Sequence, residues 1–200
     1  MNFATDTELE YEQKTFRKVD AQKAIVKGKS FQGCSFINCS LAEIVFDGCK
    51  FHNCTFKTCD LSLMKVKNSV FADVKFDDTK VVGINWTEAM WGKNSLLGSL
   101  TFSECTLNYS TFIGLKMHKL VLVQCLAKDV DFSEADLTKA NFEDTDLSES
   151  RFHHTNLTEA NLAKARNYHI PATQNTLKKT RFSLPEAVSL LHSLDIILDE

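Results

Sequence analysis

FQGCS FINCS LAEIV FDGCK FHNCT F, from Phe31 to Phe56, repeats in units of five. Phe31, Phe36, Leu41, Phe46, Phe51 and Phe56 lead the units, and the phase continues through Leu61, Val66, Phe71, Phe76 and Val81. None of these positions is polar. The phase runs back weakly through Val26, Ala21, Phe16 and Tyr11, and forward through Trp86 and Trp91. A second run starts at Phe102 and passes Leu107, Phe112, Met117, Leu122, Ala127, Phe132, Leu137, Phe142, Leu147, Phe152, Leu157 and Leu162. Eleven of those thirteen are Phe or Leu, against 37 of 200 residues in the whole chain, so the spacing is imposed rather than accidental. The step from Trp86 to Phe102 is three periods plus one. That predicts a one-residue slip, or a short loop, near residues 92–97.

Two residues before each large side chain sits a second slot. It holds Cys34, Cys39, Ile44, Cys49, Cys54 and Cys59 early on, and Ala135, Ala140, Thr145 and Ala160 later. The other three positions of each unit are mostly polar. A helix wants apolar residues three and four apart, and a simple strand wants them two apart. A five-residue unit with two inward residues cannot bury its core alone. It must coil so that successive turns stack, which is the logic of a solenoid.

Ala135-Asp136-Leu137-Thr138-Lys139, Ala140-Asn141-Phe142-Glu143-Asp144 and Ala160-Asn161-Leu162-Ala163-Lys164 resemble the A-(D/N)-L-x-x consensus of pentapeptide-repeat proteins. The resemblance spans about residues 11–165. It implies an all-β fold, a right-handed quadrilateral β-helix with one unit per face and four per coil. Residues four units apart then stack, giving inward columns of Phe31, Phe51 and Phe71, of Phe36, Phe56 and Phe76, and of Phe112, Phe132 and Phe152, with Leu137 and Phe142 in two of the other three columns of the second run. Trp91 extends the Phe71 column. Residues 1–182 are expected to form the helix, broken near 92–97, and residues 183–200 a short α-helical cap. Ser183-Leu184-Pro185-Glu186 reads as a capping box with Pro in the first turn, followed by apolar residues at helical spacing. Asp195 to Leu198 continues the helix or forms a short strand.

Composition excludes several functions. Apolar residues are 44% of the chain, enough for a core. Lys and Arg total 23 against 26 Asp and Glu, a net charge of −3, where a simple nucleic-acid binder carries a basic excess. Met1 to Glu10 has neither a basic nor an apolar leader region, and no apolar run approaches the roughly 18–20 residues that span a bilayer. The expectation is a cytoplasmic, membrane-free protein with reduced thiols.

Catalytic and cofactor signals are weak. All seven Cys fall in the small inward slot where Ala, Ser and Thr also stand, so they read as core rather than metal ligands. Gly28-Lys29-Ser30 lacks the upstream Gly of a phosphate loop, since Lys23 stands there. His153 and His154 are expected to point outward. No catalytic residue, metal or cofactor is expected.

The surface offers more. Between Leu126 and Ala165 nine acids face four bases. Asp129, Asp131, Glu134, Asp136, Glu143, Asp144, Asp146 and Glu149 therefore form either an ordinary solvated surface or an acidic stripe that resembles DNA to a DNA-binding partner. A stripe requires that they share a face. Trp86 and Trp91, beside the break, either fill the core or mark a binding surface.

Chain length, the Cys-rich first run, the central break and the Phe182-Ser183-Leu184-Pro185-Glu186-Ala187 segment are similar to the Qnr-type quinolone-resistance and microcin-immunity branch of the family. That resemblance implies a non-enzymatic partner of DNA gyrase or topoisomerase IV, protecting it from quinolones or microcin, with DNA mimicry as one route. It also implies a homodimer through the C-terminal end, with Phe182, Leu190, Leu191, Leu194 and Ile197 as contact candidates and no direct nucleic-acid binding. A one-residue slip leaves little room for the long loops of Qnr-type proteins, which favours the microcin-immunity type. The alternative is a general interaction scaffold with an unrelated partner.

Overall fold

The computed structural model describes residues 2–92, 100–194 and 196. The chain is a β-solenoid of about eight coils, the quadrilateral β-helix of the pentapeptide-repeat fold. Strands one coil apart pair in parallel and in register. On the first face Tyr11, Phe31, Phe51 and Phe71 are successive partners. On the second, Phe16, Phe36, Phe56, Phe76, Phe102 and Leu122 form a six-stranded sheet. The third face carries Leu41, Leu61, Val81, Leu107 and Leu147 inside, and the fourth Phe46, Val66, Trp86, Phe112, Phe132 and Phe152.

The inward columns explain the Phe content. Phe31, Phe36, Phe51, Phe56, Phe71, Phe76, Phe112, Phe132, Leu137, Phe142 and Phe152 are all buried. In-register strands lie about 4.8 Å apart, so rings on neighbouring coils meet face to face. Phe31 and Phe51 stack at 4.9 Å and 5°, and Phe36 and Phe56 at 4.4 Å and 8°. Rings on adjacent faces meet edge-on, as Phe132 and Phe142 do at 5.6 Å and 81°. Both geometries suit the aromatic quadrupole.

The consensus residues build the corners. The Asp or Asn before each inward Leu or Phe accepts the N–H two residues ahead: Asp136 Oδ1 from Thr138 at 3.1 Å, Asn141 Oδ1 from Glu143 at 3.1 Å, Asn156 Oδ1 from Thr158 at 3.1 Å. The residue closing each unit is left-handed, as at Asn38 (φ 54°), Glu134 (60°) and Lys139 (61°). Its N–H donates to a carbonyl on the next coil, as from Lys139 to Thr158 at 2.9 Å. Asn and Asp tolerate this region better than most residues. At Gly83 an added Cβ would lie 2.7 Å from Leu63 Cδ2.

The small inward slot is a second ladder. Its backbone N–H reaches the side chain of the same slot one coil on, from Cys49 to Ser69 Oγ at 2.9 Å and from Cys125 to Thr145 Oγ1 at 3.3 Å. Those hydroxyls donate in turn to backbone carbonyls, Ser69 to Phe46 at 3.0 Å and Thr145 to Leu122 at 2.7 Å. Where Ile44 or Ala140 occupies the slot, its N–H closes a local turn on the carbonyl three residues back.

The central break is larger than a one-residue slip. The slot ladder steps by 20 in number from Cys49 to Ser69, but by 26 from Ile84 to Ser110. Phe76 pairs with Phe102 and Asn85 bridges to Thr111 with the same larger step. The insertion is six residues, one whole unit plus one. Counting in fives hid the whole unit. Apart from Gly92, the expected break at 92–97 lies outside the described residues.

Both ends are capped. At the N-terminus Phe3 is fully buried, edge-on to Phe16, Phe31 and Phe36 at 5.1, 5.7 and 5.3 Å. Lys29, in the inward slot of the first coil, is also buried. Its ammonium donates to Asp6 Oδ1 at 2.8 Å, the Asp6 and Glu8 carbonyls at 2.9 and 2.7 Å, and the Tyr11 hydroxyl at 3.1 Å. Tyr11 also donates to Asp6. Burial alone would push the Asp6 carboxyl up, but the bonds from Lys29 and Tyr11 outweigh it and hold it low.

At the C-terminus the helix is 3-10, not α, over Glu186–Leu194. The expected capping box does not form. Ser183 Oγ accepts the Lys164 N–H at 3.1 Å, and Glu186 Oε1 the Asn167 N–H at 2.5 Å. These are coil amides that another coil would otherwise receive. Ser193 Oγ likewise accepts the Ala172 N–H at 2.8 Å. The segment spends its side chains on closing the solenoid edge rather than on its own first turn.

Candidate protein-interaction surface

The interior is filled by side chains, so the outer faces carry any function. Open surface grooves of about 430, 480 and 610 Å3 lie on the outside of the rod. Among the described residues no cluster of His, Cys, Asp and Glu is arranged to hold a metal ion, and no helix is long and apolar enough to cross a membrane. All seven Cys are buried free thiols. His153 and His154 are exposed neighbours, with rings 4.3 Å apart.

The eight acidic candidates do not share a face. Asp136 lies on the first face and Glu143 and Asp144 on the second. Asp129, Asp146 and Glu149 lie on the third, and Asp131 and Glu134 on the fourth. A coil turns a corner with every unit, so acids dense in sequence spread around the rod.

Several also have basic partners. Arg151 Nη1 meets Asp129 Oδ1 at 2.7 Å and its Nε meets Asp131 Oδ2 at 2.9 Å. Arg166 sits 3.6 and 3.5 Å from Asp144 and Asp146, and His118 Nε2 lies 2.8 Å from Asp136. Asp131, Asp136 and Asp146 serve as corner residues. Burial would raise each carboxyl, but hydrogen bonds from Ser133, Thr138 and Ser148 respectively, helped by Arg151, His118 and Asn167, hold them below the usual range. Among the described residues, no one face carries a continuous DNA-like stripe of these acids.

The tryptophans divide. Trp86 is fully buried and stacks on Phe112 at 5.9 Å and 16°. Its indole N–H has no partner among the described residues. Trp91 leaves the expected Phe71 column. It is half-buried, tilts against Trp86 at 6.5 Å, and donates to the Trp86 carbonyl at 2.8 Å.

Beside it the rod exposes apolar side chains that sequence reasoning passed over. Met90, Leu63, Tyr109 and Ile113 are 59, 53, 60 and 43% exposed. Leu63 and Tyr109 stand on the corner between the third and fourth faces, Ile113 on the fourth face, and Met90 at its far corner. With Trp91 they make a mid-rod band of separate exposed apolar side chains, between which Lys65, Asn85 and Glu88 are also exposed. The repeat phase places Leu63, Tyr109 and Ile113 at outward positions, and that signal was available in the sequence.

At the C-terminal end Phe182 pairs with Leu162 and tilts against Tyr168 at 5.7 Å, and Leu190 packs on the core. Leu191 is half-buried, while Leu184, Val188, Leu194 and Ile196 are exposed. Ile197 lies outside the described residues.

A family model for the pentapeptide repeat region matches residues 29–100 and 93–162. The chain belongs to the pentapeptide-repeat family. No curated protein matches it. Among solved structures it is similar to full-length QnrB1, a plasmid-mediated fluoroquinolone resistance protein, at 16% identity and a TM-score of 0.54, covering 94% of this chain and 100% of that one. A trypsin-treated QnrB1 variant gives 19% identity and 0.54, covering 96% and 98%. It is also similar to HetL of the cyanobacterium Nostoc, involved in heterocyst differentiation regulation, at 15% identity and 0.63, covering 86% of each chain. At these identities the likeness is one of fold.

Proposed function

We propose that this pentapeptide-repeat protein is a non-enzymatic binding rod of the cytoplasm that engages a type II DNA topoisomerase, gyrase or topoisomerase IV, and protects it from a cleavage-stabilising poison. The observation that carries the reading is the concentration of exposed apolar side chains, Leu63, Met90, Tyr109 and Ile113, at mid-rod near a six-residue insertion, on a rod whose interior leaves no room for a substrate. Exposed aromatic and aliphatic side chains concentrated along one stretch of a surface mark protein contacts. The likeness to the quinolone-resistance fold along nearly the whole rod supports this choice of partner.

The scatter and pairing of the acids favour contact through that band over mimicry of DNA. They also give weight to a second reading, a scaffold with an unrelated partner, for which the likeness to HetL is the precedent. A supercoiling assay with gyrase, with and without a quinolone, separates the two. Restored supercoiling in the presence of the drug supports the first reading. No effect on gyrase or topoisomerase IV removes it and leaves the scaffold. The exposed Leu184, Val188 and Leu194 on the cap support association of two copies through their C-terminal ends.

A further inference from the structure

We propose that Cys39 and Cys59 are an oxidisable pair, closed by a peroxide-class oxidant into a disulfide that staples the second coil to the third. The two occupy the same inward slot on adjacent coils, next to the Ser40–Asp60 bridge that fixes the register. In-register positions on neighbouring strands place their Cα atoms about 4.8 Å apart, inside the roughly 4.4–6.8 Å span of disulfides. The Cys39 N–H donates to Cys59 Sγ at 3.5 Å, so the Cys59 sulfur already lies against the other residue. Each sulfur also makes weak bonds to carbonyls, Cys39 to Phe16 at 3.6 Å and Ile37 at 3.5 Å, and Cys59 to Phe36 at 3.4 Å and Lys57 at 3.3 Å. Both residues line the open groove at the corner of the second and third faces, with Thr79 and Asp60.

The thiols differ in the required sense. A hydrogen bond from Cys59 draws Cys39 toward the thiolate, and the same bond together with burial pushes Cys59 up. Cys34 and Cys54 also share one slot on adjacent coils, yet burial raises both, Cys54 to about 12. They form an internal control, whereas Cys105 and Cys125 repeat the N–H···S contact, at 3.4 Å, and the opposed shifts but do not line this groove. Thiolate character sets cysteine reactivity.

The reaction balances. The Cys39 thiolate attacks one peroxide oxygen. An S–O bond forms, the O–O bond breaks, and the departing hydroxide takes a proton to leave as water. The Cys59 sulfur then attacks the Cys39 sulfur, the S–O bond breaks, and the oxygen leaves as a second water. Two electrons pass from the thiols to the peroxide.

The test treats the folded full chain with hydrogen peroxide near neutral pH, alkylates the remaining thiols after unfolding, and maps peptides by mass spectrometry. The expected result is a fall from seven free thiols to five. The chain loses two hydrogens, the cross-linked peptide joins Cys39 to Cys59, and dithiothreitol restores it. In Cys59→Ser the disulfide is absent and dimedone traps a sulfenic acid on Cys39. Ser69 and Ser110 already occupy this slot in other coils, so the variant keeps the fold. Seven intact thiols in the treated wild type overturn the proposal. So does a cross-link found only between Cys34 and Cys54 or only between Cys105 and Cys125.

Discussion

Asp136 shows how one residue serves the coil before it serves any partner. It accepts from the Thr138 N–H and hydroxyl, and His118 and Asn156 bond to it as well. Its carboxyl is held below the ordinary range against the pull of burial. A depressed carboxylate contributes stability above its unfolded pKa, and that contribution is lost as pH falls through the folded value. Asp131 and Asp146 act in the same sense. Thermal melts are therefore expected to hold steady from neutral pH to about 4, the unperturbed carboxylate range, and to drop below it. Asp136→Asn, the residue this position holds at Asn141 and Asn156, should melt close to wild type at pH 7 and lose part of the acid drop. An acid curve unchanged in the variant would contradict the assignment.

Lys29 is the residue-scale opposite, a buried cation where the later coils carry Cys49 and Ser69. Lys29→Met leaves the Asp6 carboxylate without its ion partner. Breaking a buried pair costs roughly 3–5 kcal/mol, and the partial exposure of Asp6 puts this one at the low end. A melt within a degree of wild type would show that the N-terminal plug does not depend on it. Neither Lys29 nor Phe3 was legible in the sequence. Phe3 falls off the five-residue phase, and Lys29, although two residues before Phe31, draws its ion partner Asp6 from a segment outside that phase.

At the scale of the element, the unit is a corner and an inward pair. The corner needs a positive φ, which β-branched side chains resist. Lys139→Val, at φ 61°, is expected to destabilise by about 1–2 kcal/mol, read from denaturant midpoints. Lys139→Gly should not. The inward slot is an edge-to-edge hydrogen-bond ladder. Ser69→Ala removes the acceptor of the Cys49 N–H and is expected to cost about 1–3 kcal/mol, while Cys49→Ala, which keeps that amide and its partner, should cost less. Equal losses would mean that packing, not the ladder, decides the slot.

The five-residue unit was readable because large apolar side chains mark it without interruption from Phe31 to Val81. The insertion was not, because an added whole unit leaves the remainder in fives unchanged. The cap was half-readable. Leu190 does face the core, but Ser183 and Glu186 have coil amides to satisfy, and they leave the helix uncapped.

At the scale of the molecule, two things set function: where the coil places charge, and where it leaves apolar side chains. The acids that crowd residues 129–149 in sequence occupy four faces in space, because the face changes with every unit. Sequence density was a poor guide to surface density here. The apolar band is the reverse case. Leu63 and Tyr109 are distant in the chain, yet they stand two coils apart in one corner column, with Gly83 between them. The cap exposes Leu184, Val188 and Leu194. Substituting all three by Ser should convert a dimer to a monomer in light scattering without lowering the melting temperature by more than a few degrees. A variant that stays dimeric places the self-contact elsewhere.

The most direct test compares three proteins in the quinolone-inhibited gyrase supercoiling assay: wild type, a band variant with Tyr109→Arg and Ile113→Arg, and a charge variant with Glu143→Lys and Asp144→Lys. Melting curves confirm that all three are folded. Contact through the fourth face predicts that wild type and the charge variant restore supercoiling and the band variant does not. Protection lost in the charge variant and kept in the band variant would contradict the account, as would a wild type without effect.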